Sequence, residues 1–153
     1  MPKKIPRPSD FTRCYGCGAD NPRGLALDFH REGEGAAESV VASFVPPAEL
    51  GGYGRILHGG VTATLADEAF GWAIWGLLGK LGVTTDLAVR YVASLRCGEP
   101  LTVRGFIDHH DARGASVRAE IRDDSGRLAA TASGTLRFVS QRAVERMGAF
   151  KAG

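Results

Sequence analysis

The sequence lacks the features that would direct it into a membrane or out of the cell. No stretch reaches the roughly 18 uninterrupted apolar residues that indicate a membrane-spanning helix. The opening MPKKIPRPSDF has basic residues but not the apolar segment that follows them in a secretory signal. We therefore expect a cytoplasmic protein without membrane association.

Cysteine is scarce, with three residues in a chain of 153. An odd number does not suit a disulfide framework, and a chain of this length can bury a core without cross-links. Cys14 and Cys17 form a CxxC pair, but structural zinc needs four ligands. Cys97 and the four histidines, His30, His58, His109 and His110, show no second paired spacing beyond the adjacent histidines. The sequence predicts a reducing compartment, no metal and no cofactor.

An excess of charge of one sign is also missing. Nineteen Lys and Arg residues face 17 Asp and Glu residues, so the net charge is +2, and the charges are interspersed. Nucleic acid is therefore not an expected partner. The apolar content of 44% is that of a globular protein, and 153 residues suit one domain. Three prolines and three basic residues among the first ten predict a flexible tail over 1–13 and a single domain over 14–153.

One long helix is predicted in the middle of the chain. Residues 58–79, HGGVTATLADEAFGWAIWGLLG, are apolar over most of the helix circumference, which is typical of a buried helix. Gly79 followed by Lys80 favours a helix end, so we expect the helix over about residues 60 to 78.

Most of the remaining chain alternates apolar and polar residues with the period of a strand. Segments 25–29 and 38–45 are predicted to form a hairpin, and four strands are predicted after the helix, around 83–95, 101–107, 115–121 and 128–138. Short turns between strands favour antiparallel neighbours. The sequence thus predicts an α+β fold whose largely antiparallel sheet packs its concave face on one central helix, with a short terminal helix over 141–150.

Two carboxylates interrupt the apolar helix. A buried, unpaired carboxylate is costly, so Asp67 and Glu68 must be paired, protonated or part of a polar site. Neighbouring helical residues point about 100° apart, so at most one of the two should reach a given cleft. We favour a functional role over simple exposure or pairing with an arginine.

The residues His58, Gly59 and Gly60 precede the predicted helix. The first amides of a helix have no internal partner and carry the positive end of the helix dipole. Two glycines leave room for a carbonyl oxygen to approach those amides, so an oxyanion site is predicted. The His58 ring itself is either catalytic or hydrogen-bonded to backbone.

The segment HGGVTATLADEA, after the lead-in YGRIL, resembles the signature of hotdog-fold acyl-CoA thioesterases, particularly phenylacetyl-CoA and medium-chain acyl-CoA hydrolases. The opening CYGCGADNPRGLALDF is also frequent in bacterial members, and the resemblance covers about residues 14 to 139. It implies a hotdog fold, in which an antiparallel sheet wraps around one long central helix. It also implies an acyl-CoA substrate.

The resemblance assigns roles to single residues. It implies that Asp67 is the nucleophile or general base, with Glu68 as the secondary candidate. It implies that the Gly59 amide polarises the thioester carbonyl and that the Thr84 hydroxyl places the water. Some members carry Asn or Gln six residues before the histidine, where this sequence has Gly52.

The chemistry that the resemblance implies is also consistent with the residues themselves. A thioester is already activated, so hydrolysis needs an oxyanion donor and either a base for water or an attacking carboxylate. Gly59 and Asp67 are separated by about 12 Å along the helix axis, because each residue rises 1.5 Å. One chain cannot easily serve both ends of one thioester. We therefore expect a homodimer, or a dimer of dimers, with active sites at the dimer interface.

Further candidates concern substrate binding. Gly60 could contact the ligand at the helix start, and Arg90 and Arg96, on or near a strand, could meet the phosphates of coenzyme A. A catalytically silent module that binds acyl-CoA or regulates through it is the alternative, because the fold can hold ligand without hydrolysing it. A hydratase of this fold is not favoured, because the Asp and His spacing it needs is missing.

Overall fold

The computed structural model describes residues 1–8 and 11–146. These residues form two α-helices and a seven-stranded sheet whose paired strands are all antiparallel. The strands are β1 (Lys3–Lys4), β2 (His30–Glu32), β3 (Ser39–Phe44), β4 (Leu81–Tyr91), β5 (Leu101–His110), β6 (Gly114–Asp123) and β7 (Leu128–Val139). The helices are α1 (Gly59–Leu78) and α2 (Gln141–Arg146), and the strand order is β1-β2-β3-β5-β6-β7-β4.

Helix α1 confirms the predicted central helix. Its sheet-facing side chains are completely buried, among them Leu65, Ala69 and Phe70, and they pack in one core with the inward residues of β6. Gly79 ends the helix in the left-handed conformation, with φ of 65°, which glycine adopts without strain. Within the described part of the chain, neither helix combines the length and hydropathy required to span a membrane.

The predicted hairpin before the helix is displaced along the chain. Residues 25–29 are not a strand, although Leu25, Leu27 and Phe29 are buried. The amides of Leu25 and Leu27 donate to the carbonyls of Tyr15 and Gly16, so their hydrogen bonds go to a loop instead of a neighbouring strand. The strand that pairs with β3 is therefore the short β2 that follows.

Strands β4 and β5 follow one another but do not pair. The connection 92–100 crosses the fold, so that β4 pairs with β7 while β5 lies between β3 and β6. The expectation of antiparallel sequential neighbours holds for β5, β6 and β7 and fails for β4, whose connection is too long to be a tight turn. Strand β4 is consequently an edge of the sheet.

The first eight residues, which belong to the segment 1–13 predicted as a flexible tail, pack on the rest of the chain. Strand β1 pairs with β2, and the Ile5 side chain is buried in the core. The Trp75 indole N–H donates to the Pro6 carbonyl at 2.8 Å. The predicted terminal helix is present as α2 up to residue 146, and the remainder of that prediction, 147–150, lies outside the described residues.

A glycine in β5 allows the helix to approach the sheet. A β-carbon at Gly105 would lie 2.5 Å from the carbonyl oxygen of Ala69, whereas one at Gly71 on the other side of α1 meets nothing within 4 Å. We expect Gly105→Ala to lower the free energy of unfolding by about 1 to 3 kcal/mol through overpacking. The matched Gly71→Ala should raise it by up to about 1 kcal/mol, because alanine favours helix. Urea unfolding of both variants measures this difference, and equal stabilities would contradict it.

Candidate active site

Asp67 lies half-buried on α1 and accepts a short hydrogen bond. The Thr84 hydroxyl on β4 donates to Asp67 Oδ1 at 2.6 Å. Strand β4 has a bulge between Thr84 and Asp86, and such irregularities re-aim side chains. Thr84 is half-buried, whereas Thr85 and Asp86 are exposed. The bulge therefore lies where the Thr84 hydroxyl of β4 turns towards α1.

The Asp67 carboxylate lines a cavity of about 500 Å³. Much of the wall is apolar and includes Trp72, Trp75, Val83 and Leu136. Trp72 stacks on Phe29 with ring centroids 5.6 Å apart, which fixes one side of the wall in the core. A carboxylate beside such a wall can meet a ligand that is part polar and part hydrocarbon.

At the start of α1, one backbone amide remains free. His58 caps the helix, because its Nδ1 accepts the Gly60 N–H at 2.9 Å. The Val61 and Thr62 amides donate to the His58 carbonyl. Among the described residues, the Gly59 N–H has no acceptor. The amide that is available to an external acceptor is thus that of Gly59, whereas the Gly60 amide is already occupied by the His58 ring.

The free amide lies in a second cavity of about 430 Å³, separate from that of Asp67. Its lining includes Gly52, His58, Gly59 and Tyr91. The Tyr91 hydroxyl donates to the Gly59 carbonyl at 2.7 Å and so ties the end of β4 to the start of α1. The Gly52 amide donates to the Ile56 carbonyl at 2.8 Å, so this N–H is not available to a ligand in the cavity.

Glu68 points to the N-terminal loop and not to Thr84. The Cys14 thiol lies 3.6 Å from Glu68 Oε1. Burial raises the pKa of Glu68 to about 8, with the neighbouring Cys14 charge acting in the same direction. A hydrogen bond with Cys17 lowers the pKa of Cys14 to about 5, and the same bond and burial raise the pKa of Cys17. The two adjacent carboxylates therefore have different partners, as their helical positions predict.

The two predicted phosphate-binding arginines are exposed near the second cavity. Arg90 precedes Tyr91 at the end of β4, and Arg96 follows Leu95, and both of those neighbours line that cavity. In the region covered by residues 1–8 and 11–146, neither guanidinium forms an ion pair. Both cations are available to an anionic ligand.

Two features of the site were not found by sequence reasoning. Tyr91 fitted the alternation of β4 and gave no sign of its bond to Gly59. The contact of Cys14 with Glu68 joins residues 54 positions apart, and the only sequence signals were the CxxC itself and the unpaired acid in an apolar helix.

Comparison with known proteins identifies the family. Residues 54–130 match a family model described as the thioesterase superfamily. The chain belongs to the thioesterase superfamily. Its sheet wrapped around α1 is the hotdog fold, which confirms the fold predicted from the sequence.

Individual relatives share this fold over much of the chain. A crystal structure described as a thioesterase superfamily protein is 28% identical, with a TM-score of 0.73, and the match covers 84% of this chain and 61% of that one. A hypothetical thioesterase of Streptococcus pneumoniae, determined with coenzyme A, is 25% identical with a TM-score of 0.61 over 74% of this chain and 87% of that one. An uncharacterized protein of Schizosaccharomyces pombe is 37% identical over 65 residues, which are 42% of this chain and 37% of the relative. The chain thus spans less than two thirds of the first and the last of these proteins.

Proposed function

We propose that the protein is an acyl-CoA thioesterase, which hydrolyses the thioester of an acyl-coenzyme A to the free acid and coenzyme A. The observation that carries this proposal is the Asp67 carboxylate, held by Thr84 at the edge of an apolar cavity. Membership of the thioesterase superfamily and the coenzyme A bound by the Streptococcus relative support the substrate class.

The Thr84 bond occupies one oxygen of Asp67 and leaves the other for chemistry. That oxygen either takes a proton from water as the water attacks the thioester carbon, or attacks the carbon itself to give a mixed anhydride. In both routes the carbonyl oxygen becomes an oxyanion, which the free Gly59 amide stabilises. The carbon–sulfur bond then breaks. On the general-base route, the proton that Asp67 took from water passes to the leaving sulfur of coenzyme A. On the nucleophilic route, coenzyme A leaves as the thiolate and takes its proton from solvent, and a water molecule then hydrolyses the mixed anhydride to the free acid and the Asp67 carboxylate.

The complete site requires two chains. Gly59 and Asp67 line different cavities of one chain and are about 12 Å apart along α1. An oxyanion donor has to lie about 3 Å from the oxygen, and an attacking group about 3 to 3.5 Å from the carbon. A thioester can meet both groups only if the second comes from a partner.

Strand β4 supplies the surface for that partner. It is an edge of the sheet, and its large apolar side chains Val83, Leu87 and Tyr91 are 40%, 39% and 57% exposed. An exposed apolar edge strand is suited to pairing with a second copy. Antiparallel pairing of two β4 strands would place the Tyr91 end of one chain beside the Thr84 end of the other.

This pairing assembles the two halves of the site. Tyr91 holds the Gly59 end of α1, and Thr84 holds Asp67. A twofold axis near the middle of β4 therefore brings Gly59 of one protomer near Asp67 of its partner, and does so twice per dimer. The acyl group would enter the apolar cavity of the chain that supplies Asp67, and Arg90 and Arg96 at the Gly59 end would bind phosphates of coenzyme A.

One observation favours a second candidate, a hotdog module that binds acyl-CoA without hydrolysing it. The second cavity has glycine at position 52, where some thioesterases carry an amide side chain, and the Gly52 amide is occupied. The missing amide side chain at position 52 would not prevent acyl-CoA from binding, but it could reduce the rate of hydrolysis.

Hydrolysis of a panel of short, medium, long and aromatic acyl-CoAs tests the proposal. Release of coenzyme A is followed with a thiol-reactive dye, against a blank for the three cysteines of the chain. We expect turnover of those acyl groups that the apolar cavity can hold. Calorimetric binding of acyl-CoA with no turnover on any member of the panel would instead identify the silent module.

A further inference from the structure

Three metal-ligating side chains meet at one wall of the Asp67 cavity. The sulfurs of Cys14 and Cys17 and a carboxylate oxygen of Glu68 all lie within 4.8 Å of one another. The distance from Cys14 Sγ to Glu68 Oε1 is 3.6 Å. Two ligands at about 2.3 Å and 2.0 Å from one zinc ion are about 3.5 Å apart when the geometry is tetrahedral. The cluster therefore has the dimensions of a metal site.

We propose that Cys14, Cys17 and Glu68 bind one divalent transition-metal ion, with zinc as the expected ion. Two thiolates and one carboxylate are ligands that zinc accepts, and a site of three protein ligands keeps a fourth position for water. All three residues line the Asp67 cavity. This proposal goes beyond the thioesterase activity and does not depend on it.

The proposal reverses the expectation of no metal that was drawn from the sequence. That expectation counted cysteines and histidines and found only one pair. The fold supplies the third ligand from α1, 54 residues after Cys14. The acid in the apolar helix, Glu68, and the CxxC pair, Cys14 and Cys17, then belong to one cluster.

Gly16 shows that the loop is shaped around the Glu68 side chain. A β-carbon at Gly16 would lie 2.1 Å from the Cγ and Cδ atoms of Glu68, so only glycine permits the observed approach. The Gly18 amide donates to the Cys14 carbonyl at 2.8 Å, and the Leu27 amide donates to the Gly16 carbonyl at 2.9 Å. These bonds hold both thiols against the helix, so that little rearrangement is needed for a metal to bind.

Among the residues that the structure describes, no cation pairs with the cluster. Cys17 is buried, and Cys14 and Glu68 are half-buried. Across residues 1–8 and 11–146, no Lys, Arg or His forms an ion pair with Glu68. Two thiolates and a carboxylate that act as metal ligands bring negative charge into this partly buried site, and a divalent cation would compensate it.

Metal content and cobalt binding of the full chain test the proposal. After expression with zinc and dialysis against metal-free buffer, we expect about one zinc ion per chain. The metal-free protein should give a thiolate-to-cobalt charge-transfer band when cobalt(II) is added. Cys14→Ser and Cys17→Ser should lose both signals, whereas the control Cys97→Ser, at a buried cysteine outside the cluster, should keep them.

Glu68→Gln tests the third ligand with almost no change of shape. We expect its zinc affinity, measured by competition with a coloured chelator, to fall about tenfold or more. Wild-type protein with reduced thiols that binds no zinc and shows no cobalt charge-transfer band would overturn the proposal, and this result needs no variant to fold. Full zinc binding by folded Cys17→Ser, or unchanged affinity in Glu68→Gln, would overturn it as well.

Discussion

Replacing Asp67 by asparagine should lower kcat for acyl-CoA hydrolysis by roughly a hundredfold or more, the usual scale for losing a catalytic base or nucleophile. Asparagine keeps the size of the side chain, and its amide oxygen can still accept the Thr84 hydroxyl, so the fold should be preserved. What is lost is the anionic oxygen that removes a proton from water or attacks the thioester. Initial rates at saturating acyl-CoA, with circular dichroism as the check on folding, measure the effect.

The matched control is Asp108→Asn. Asp108 lies on β5 in an exposed ion pair with Arg118 at 2.9 Å and lines none of the cavities described above. Exposed pairs contribute little to stability, so its activity should equal that of the wild type. Glu68→Gln should reduce activity much less than Asp67→Asn, because Glu68 faces Cys14 and not Thr84. If folded Glu68→Gln lost most of its hydrolysis activity while Asp67→Asn stayed active, Glu68 and not Asp67 would be the base or nucleophile.

The parts of the fold that depend on local pattern could be predicted. Apolar residues over most of the circumference of α1 and a left-handed Gly79 at its end are properties of one segment. The position of β4 in the sheet could not be predicted, because nothing in its own residues indicates that it pairs with β7. The prediction of a strand over 25–29 failed for a related reason, because the amides of Leu25 and Leu27 donate to carbonyls of the loop at Tyr15 and Gly16.

Some features of the candidate site could likewise be predicted from local pattern, and others depend on tertiary packing. Asp67 and Gly59 stand out because a carboxylate in an apolar helix and glycines at a helix start are local anomalies. The open question about the His58 ring needed coordinates, which show it accepting the Gly60 amide. Two contacts depend on how distant segments pack, which a single sequence does not show. They are the contact of Cys14 with Glu68 and that of Tyr91 with Gly59.

If each active site takes Gly59 from one chain and Asp67 from the other, as proposed, subunit mixing should restore activity to two inactive variants. Gly59→Pro removes the amide that serves as the oxyanion donor, and that amide has no acceptor within the described chain to lose. His58 already has φ of −58° and ψ of 132°, which is the conformation that a following proline requires. Proline is also tolerated at the first helical position, so this variant should fold.

Two controls precede the mixing. Gly59→Ala adds a β-carbon about 3.4 Å from the Tyr91 hydroxyl but keeps the amide, so it should retain far more activity than Gly59→Pro. Size-exclusion chromatography must also show that Gly59→Pro and Asp67→Asn form the same assembly as the wild type. An inactive Gly59→Ala would mean that bulk at this position, and not the missing amide, causes the loss.

Gly59→Pro and Asp67→Asn are then unfolded together in equal amounts and refolded. Random pairing makes about half of the dimers mixed, and each mixed dimer has one site with both defects and one with neither. The mixture should therefore recover about a quarter of wild-type activity from two nearly inactive parents. If Gly59 and Asp67 of one chain served the same site, every site would carry one defect, and the mixture would stay as inactive as its parents. That result would place the whole thioester within one chain and rule out the shared site.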